Sequence, residues 1–414
     1  MVAASAALLL GGCFAWPVPD QGPDRRSANT GEADLRADNV ATLQGAFTVP
    51  LPGAPKGMVY GSDGLIVASG VDDPDFAGAQ LRSVDPATGA VRWTSDTSYG
   101  FDAVYGEPVL DTGASRIRYG FGERFANLDD WRDLVLDSRT GEYADSEPTD
   151  GATVTQRGDA IVRFNRNAAW DIFDDDGWVV DEGEGGWVSV SGRALNGAVW
   201  VDPPPTDPPT TQPDDPDPTI GTDHLWLAHG ADLMGYRLDT ACPARPQDGV
   251  CTAAWVRTLD GRPTRVVVGD NGVIHVATDA GTLYALDGAT GGVLWSTDLG
   301  DGALTKPALA GGRLYVTGAT RTFAVDAVTG GLLWRSTPGT GGPTASPVVA
   351  GDVAYAARGG TGVLAAYPTA GCGSGDCAPR WTATAGSAVS HLLVASGRLY
   401  GLTATALVAY KPAG

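Results

Sequence analysis

Short apolar runs separated by turn residues recur along the chain at nearly constant spacing. Within residues 272–295, Val273-Ile274-His275-Val276-Ala277 is one run, and Asp279-Ala280-Gly281 supplies a turn. Leu283-Tyr284-Ala285-Leu286 is the next run, and Asp287-Gly288-Ala289-Thr290-Gly291 turns the chain back toward Trp295. Runs this short, β-branched and bounded by Gly and Asp, predict strands. A meander of this size cannot bury both faces alone. Residues 312–334 repeat the unit and end at Trp334. Further copies lie at 59–93, 224–255, 352–381 and 398–410, with weaker ones at 134–143 and 160–178. Trp255, Trp295 and Trp334 recur at a period of about 40 residues, the length of a propeller blade. Trp381 follows after a longer interval. The last copy stops after its third strand, and an orphan strand near 41–49 precedes the first copy. The expectation is an all-β chain forming a single β-propeller of about eight four-stranded blades. The N-terminal strand joins the C-terminal blade and closes the ring, leaving no open edge. Seven blades are the alternative, if 144–201 folds as one irregular blade.

The turn between the last two strands of a copy has its own signature, Asp-x-x-Thr-Gly with an aromatic shortly after. It is complete in three places. The first holds Asp85, Thr88, Gly89 and Trp93. The second holds Asp287, Thr290, Gly291 and Trp295, and the third Asp326, Thr329, Gly330 and Trp334. Asp and Thr can accept hydrogen bonds across the turn, and Gly supplies the left-handed backbone position. The tryptophans are expected on outer strands, packed between neighbouring blades.

Outside the repeats, residues 1–13 hold an apolar run that ends in Leu10-Gly11-Gly12-Cys13. Small residues before a cysteine resemble a bacterial lipoprotein signal, with Cys13 as the lipidated residue. No Lys or Arg precedes the run, where a signal segment normally carries a basic stretch. Residues 14–37 carry Pro17, Pro19 and Pro23 among polar residues and read as a flexible tether. Residues 38–414 form the propeller, and the proline-rich stretch 202–219 is an extended loop insertion.

Composition narrows the classes. Twenty-eight Lys and Arg against 49 Asp and Glu give a net charge of −21, which disfavours a phosphate backbone as partner. Cys242 and Cys251 bracket one loop, and Cys372 and Cys377 another. Four cysteines pair in three ways, and the short brackets favour two local disulfides and an oxidising compartment. The acidic stretch 171–184 does not fit a calcium loop, because Ile172 and Gly183 fall at its first and last ligand positions. His224 and His229 are placed on opposite faces of one strand, and His275 and His391 sit within apolar strands as blade residues. No P-loop, HExxH or GxSxG motif occurs.

The phrase Leu283-Tyr284-Ala285-Leu286-Asp287-x-x-Thr290-Gly291-x-x-x-Trp295 resembles the repeat of the pyrroloquinoline-quinone (PQQ) type β-propellers. That superfamily includes quinone-dependent alcohol dehydrogenases and non-enzymatic lipoproteins of the BamB type. The resemblance covers most of 40–411 and is specific to the blade, not to the cofactor. Dehydrogenases of the family carry adjacent cysteines, which this chain lacks. The resemblance therefore implies a monomeric scaffold without cofactor or catalytic residues, outside the cytoplasm and tied to the membrane by a lipid. Its partner would be a protein or peptide at the cell envelope. A PQQ-dependent dehydrogenase and a binder of a small ligand or polysaccharide in the central funnel are the alternatives.

Overall fold

The computed structural model describes residues 26–71, 78–98, 103–105, 107–111, 115–123, 131–149, 152–157, 160–173, 179–191, 197–201, 218–239, 252–373 and 376–413. Cys13, most of the proline-rich insertion, the Cys242–Cys251 loop and the side chains of the acidic stretch 171–184 lie outside that description. Among the described residues, no helix is long and apolar enough to cross a membrane.

The described strands form eight sheets of antiparallel meanders, in chain order 55–98, 103–149, 152–201, 219–258, 267–298, 308–336, 343–384 and 389–412. They are numbered sheet 1 to sheet 8 here. Within each, the chain runs from an inner strand outward to a last strand. Residues 144–149 complete sheet 2, and 152–201 makes a sheet of its own. The ring closes where Leu43–Pro50 pairs antiparallel with Ala406–Pro412 as the outer strand of sheet 8. Inner strands Pro55–Gly61 and Val389–Ala395 then pack sheet 1 against sheet 8.

The Asp-x-x-Thr-Gly turns connect the last two strands within a sheet and are held by their own side chains. Asp287 Oδ1 accepts from the backbone N–H of Ala289 and Thr290 at 3.0 and 2.9 Å, and from Thr290 Oγ1 at 2.9 Å. Asp326 repeats the pattern with Val328 and Thr329. In sheet 1, Thr88 donates to Asp85 Oδ1 through its N–H at 2.9 Å and its hydroxyl at 3.0 Å. These bonds hold the carboxyls below the ordinary carboxylate range, led by the Thr290 hydroxyl at Asp287 and the Thr329 N–H at Asp326. At Asp85 the Arg92 guanidinium leads.

Each tryptophan then reaches the turn of the next sheet. Trp93 Nε1 donates to Ser138 O, Trp255 to Gly288 O, Trp295 to Ala327 O and Trp334 to Thr369 O, at 3.0–3.2 Å. The receiving glycine must be glycine for two reasons. Gly330 has φ +72°, and a Cβ there would lie 2.7 Å from the Trp295 ring. The turn of Thr88 and Gly89 departs from the tryptophan packing expected between blades. Gly89 has the same left-handed backbone, φ +76°, but the ring over it belongs to Phe47, 2.6 Å from where a Cβ would stand. The reason is the closure: sheet 8 ends in the N-terminal strand, which carries Phe47 where other sheets carry tryptophan. Trp381, one sheet earlier, finds no such turn ahead of it, and its Nε1 donates to Leu43 O at the start of the closing strand.

The tether reading of 14–37 fails from Arg26 onward, because residues 26–37 are packed against the ring. Ala28–Asn29 adds parallel to Pro343–Ala350, on the inner side of sheet 7. Arg26 Nε donates to Val268 O of sheet 5, and Arg26 O accepts from Leu309 N of sheet 6. Ser27 O accepts from Val349 N of sheet 7, and Asn29 Nδ2 donates to Val394 O of sheet 8. Four successive inner strands are thus stapled at one repeat position by a single strap. Glu32 Oε2 accepts from Gly397 N, and Leu35 is fully buried. Inner strands leave backbone groups unpaired toward the axis, and the strap satisfies them.

The Cys372–Cys377 disulfide sits on a hairpin of sheet 7. Its Asp376–Cys377 segment pairs parallel with Leu332–Ser336 and so covers the outer edge of sheet 6. Asp376 takes Arg335 Nε at 2.7 Å and Arg321 Nη1 at 2.9 Å.

His275 breaks a pattern among the later sheets. Buried Tyr315, Tyr355 and Tyr400 stand opposite Ala324, Ala366 and Ala409, and sheet 5 places His275 opposite Ala285. Burial lowers the imidazole to about 4, with the Arg26 guanidinium adding to the effect and Asp270 opposing it. The unfolded chain protonates this group near pH 6.5, so between pH 6.5 and 4 it binds more protons than the native state. Stability therefore falls as pH drops through that window, by roughly 3 kcal/mol in all. Urea denaturation at pH 7 and pH 4.5 should register this loss, and His275→Tyr should reduce it.

Candidate functional site

The inner strands meet around a cavity of about 230 Å³ on the propeller axis. The polar side chains on its wall are Glu107, Arg265, Ser346, Ser390 and His391, together with Ser27 of the strap. Met58, Val348 and Leu392 supply an apolar side.

Most of these polar residues share one repeat position. The first two strands of the sheets pair at Leu110↔Ile117, Val268↔Ile274, Leu309↔Leu314, Val349↔Ala354 and Val394↔Leu399. Three positions earlier, within the inner strand or just before it, stand Glu107, Arg265, Lys306, Ser346 and His391. The strand direction brings all five toward the axis, one from each of sheets 2, 5, 6, 7 and 8. Sheet 1 carries Gly57 there, where a Cβ would lie 3.0 Å from Pro108.

The geometry ties opposite sides of the ring together. Arg265 Nη2 of sheet 5 donates to Glu107 Oε1 of sheet 2 at 3.3 Å. Both side chains are mostly shielded, at 19% and 23% exposure, so their attraction is less screened than that of a surface pair. His391 Nε2 lies 4.0 Å from the same Glu107 oxygen, and its Nδ1 shares a 2.8 Å hydrogen bond with Ser390 Oγ. Lys306, buried beside the cavity, donates to Ser27 Oγ at 2.7 Å and so locks the strap to the axis. The arrangement combines a carboxylate, a guanidinium, an imidazole and hydroxyls around an apolar wall. That set can bind and orient a small polar molecule.

None of these residues stands out in the sequence by itself. His391, expected as an ordinary blade residue, lies on the cavity wall. The available signal was the dipeptide before the inner strands: Glu107-Pro108, Lys306-Pro307 and Ser346-Pro347 occupy equivalent places. The Asp-x-x-Thr-Gly residues lie on the turns away from the cavity.

The described wall offers no ring except the His391 imidazole for stacking. Among the described residues, no three His, Cys, Asp or Glu side chains converge on a point where a metal could bind.

Residues 248–373 match the family model described as "Outer membrane protein assembly factor BamB". No curated protein matches the sequence closely enough to count as a relative. Several solved structures share the fold. BamB from Moraxella catarrhalis is 17% identical, with a TM-score of 0.56, covering 89% of this chain and 99% of its own. A europium-containing methanol dehydrogenase is 11% identical, with a TM-score of 0.63, covering 96% and 98%. The quinohemoprotein alcohol dehydrogenase of Comamonas testosteroni is 12% identical, with a TM-score of 0.64, covering 97% and 81%.

Proposed function

We propose that this chain, an all-β propeller of the PQQ-type repeat family, is a lipid-anchored scaffold that binds a protein partner at the cell envelope. The observation that carries this reading is the match of 248–373 to the family model of an outer-membrane assembly factor. The Leu10-Gly11-Gly12-Cys13 run supports an anchor at Cys13, and the Cys372–Cys377 disulfide supports an oxidising compartment. Val293 and Leu294 on the outer strand of sheet 5, and Leu332 and Leu333 on that of sheet 6, are 45–55% exposed. Val328, in the turn that leads into the second of these strands, is 80% exposed. Apolar side chains grouped on a rim are the surface a protein partner would cover. The chain acts as a monomer in this reading.

The test is made in intact cells. The full-length chain should incorporate labelled fatty acid and enter the detergent phase, and Cys13→Ala should do neither. Chemical crosslinking of the anchored chain should yield a recurring protein adduct that a Leu294→Ser, Leu333→Ser double variant loses. An unlabelled wild-type chain, or adducts indifferent to the rim variant, would contradict the proposal.

The fold likeness to the two dehydrogenases favours a second reading, a quinone-dependent oxidoreductase. Titration with PQQ, followed by absorbance and alcohol oxidation, separates it from the scaffold.

A further inference from the structure

We propose that the outer edge of sheet 6 docks an extended acidic segment of a partner protein, in the place that Asp376–Cys377 holds while the Cys372–Cys377 disulfide is intact. The chain itself shows how this edge is used. Asp376–Cys377 lies parallel to the strand, with Asp376 opposite Arg335 and Cys377 opposite Ser336. Thr337 N donates to Cys377 O at 3.0 Å. Leu332–Ser336 is five residues long, and among the described residues only Arg335 and Ser336 are paired on this side. An incoming strand can pair along Leu332, Leu333 and Trp334 as well, which the hairpin leaves uncovered. It also covers the side chains of Leu332 and Leu333, 49% and 46% exposed.

Charge selects the segment. Asp376 accepts from Arg335 Nε at 2.7 Å and from Arg321 Nη1 at 2.9 Å. The two guanidiniums, led by Arg321 and followed by Arg335, hold its carboxyl below the ordinary carboxylate range. A strand that displaces the hairpin deprives both of that carboxylate, so it must bring an Asp or Glu of its own opposite Arg335. A small side chain belongs next to it, because Cys377 is fully buried. The disulfide decides which segment holds the edge. It closes a loop between residues five apart and so restricts where Asp376–Cys377 can go. Cys372 is exposed and Cys377 is not, so a dithiol reductant attacks Cys372 Sγ. Cys377 leaves as a thiolate and takes up a proton. The second thiol of the reductant then displaces Cys372 as a thiol, and the reductant ends as a disulfide. Once reduced, the hairpin competes for the edge with only a two-residue ladder and its ion pairs.

This docking site rests on the scaffold reading and deepens it. It is read on the purified chain, so its failure leaves the lipid label and the cellular adduct to judge that reading. Fluorescence anisotropy of a labelled Val-Thr-Val-Asp-Ala peptide, blocked at both ends, measures docking. The chain reduced with dithiothreitol is expected to bind it saturably, at least about tenfold more tightly than the oxidised chain. A Val-Thr-Val-Asn-Ala peptide should bind the reduced chain at least about tenfold more weakly, and Arg335→Gln should remove that difference. Because reduction could disturb the sheet, Asp376→Asn provides a second route. It keeps the disulfide, removes the two ion pairs of the hairpin and should raise the affinity of the oxidised chain several-fold. Absence of binding at about 1 mM peptide by the folded reduced chain, or by oxidised Asp376→Asn if reduction unfolds the wild type, would overturn the proposal. So would equal binding by reduced and oxidised wild type, or equal binding of the two peptides.

Discussion

A chain that begins at Leu51 will not fold into a cooperative domain, whereas one that begins at Arg26 will unfold like the full-length protein. The missing residues 26–50 do two jobs. Leu43–Pro50 is the outer strand of sheet 8, and the strap staples the inner strands of sheets 5 to 8. Removing them exposes the edge at Ala406–Pro412 and takes away Leu35, Val40, Leu43 and Val49, each at most 7% exposed. Burial of such side chains is worth about 1.5–3 kcal/mol apiece, so the loss rivals the roughly 5–15 kcal/mol that holds a domain together. Trp381 also loses the Leu43 carbonyl it donates to, and Gly89 loses the Phe47 ring that covers it. Circular dichroism and tryptophan emission during thermal unfolding measure the effect. A sharp transition in the chain starting at Leu51, at the full-length midpoint, would refute the expectation.

Trp334→Ala is expected to cost roughly 3–5 kcal/mol and to lower the midpoint by about 5 °C. The indole is 7% exposed and packs against Tyr315 and Tyr367, with ring centroids 6.1 and 5.7 Å away. It fits so closely over Gly371 that a Cβ there would lie 2.6 Å from the ring. Its truncation leaves a void between sheets 6 and 7 and removes a donor from the Thr369 carbonyl, which keeps Arg313 Nη1. Trp295→Ala acts on the next interface along, between sheets 5 and 6, and should cost less because that ring is only half-buried. Urea denaturation of both variants tests the order. Equal midpoints for wild type and Trp334→Ala would mean that the indole does not join the sheets.

What the sequence discloses depends on how far each interaction reaches along the chain. The Asp287 to Gly291 turn is legible because its partners are two to four residues apart and its chemistry needs those residue types. The same holds for Thr88 and Gly89, but the Phe47 ring over them lies on the closing strand and belongs to no repeat signature. Strand closure was also legible, since an orphan strand near 41–49 and an incomplete last copy imply one another. The structure places that pairing at 43–50 with 406–412. The strap was not legible. Its polar stretch has no periodicity, and Asn29 finds its partner Val394 at the far end of the chain. A segment of that composition looks like a tether until the unpaired inner edges it covers are known. The axial residues were hidden differently. Glu107, Arg265 and His391 occur once per repeat and form no local motif. Only superposing the repeats brings them into one column.

Hydrogen exchange across the closing strand tests the central claim most directly. If the ring is shut by its own N-terminal strand, amides in 43–50 should exchange as slowly as those in 406–412, with the strap around Ala28–Asn29 also protected. Rapid exchange throughout 26–50, beside slow exchange in 406–412, would mean an open ring and would contradict the account.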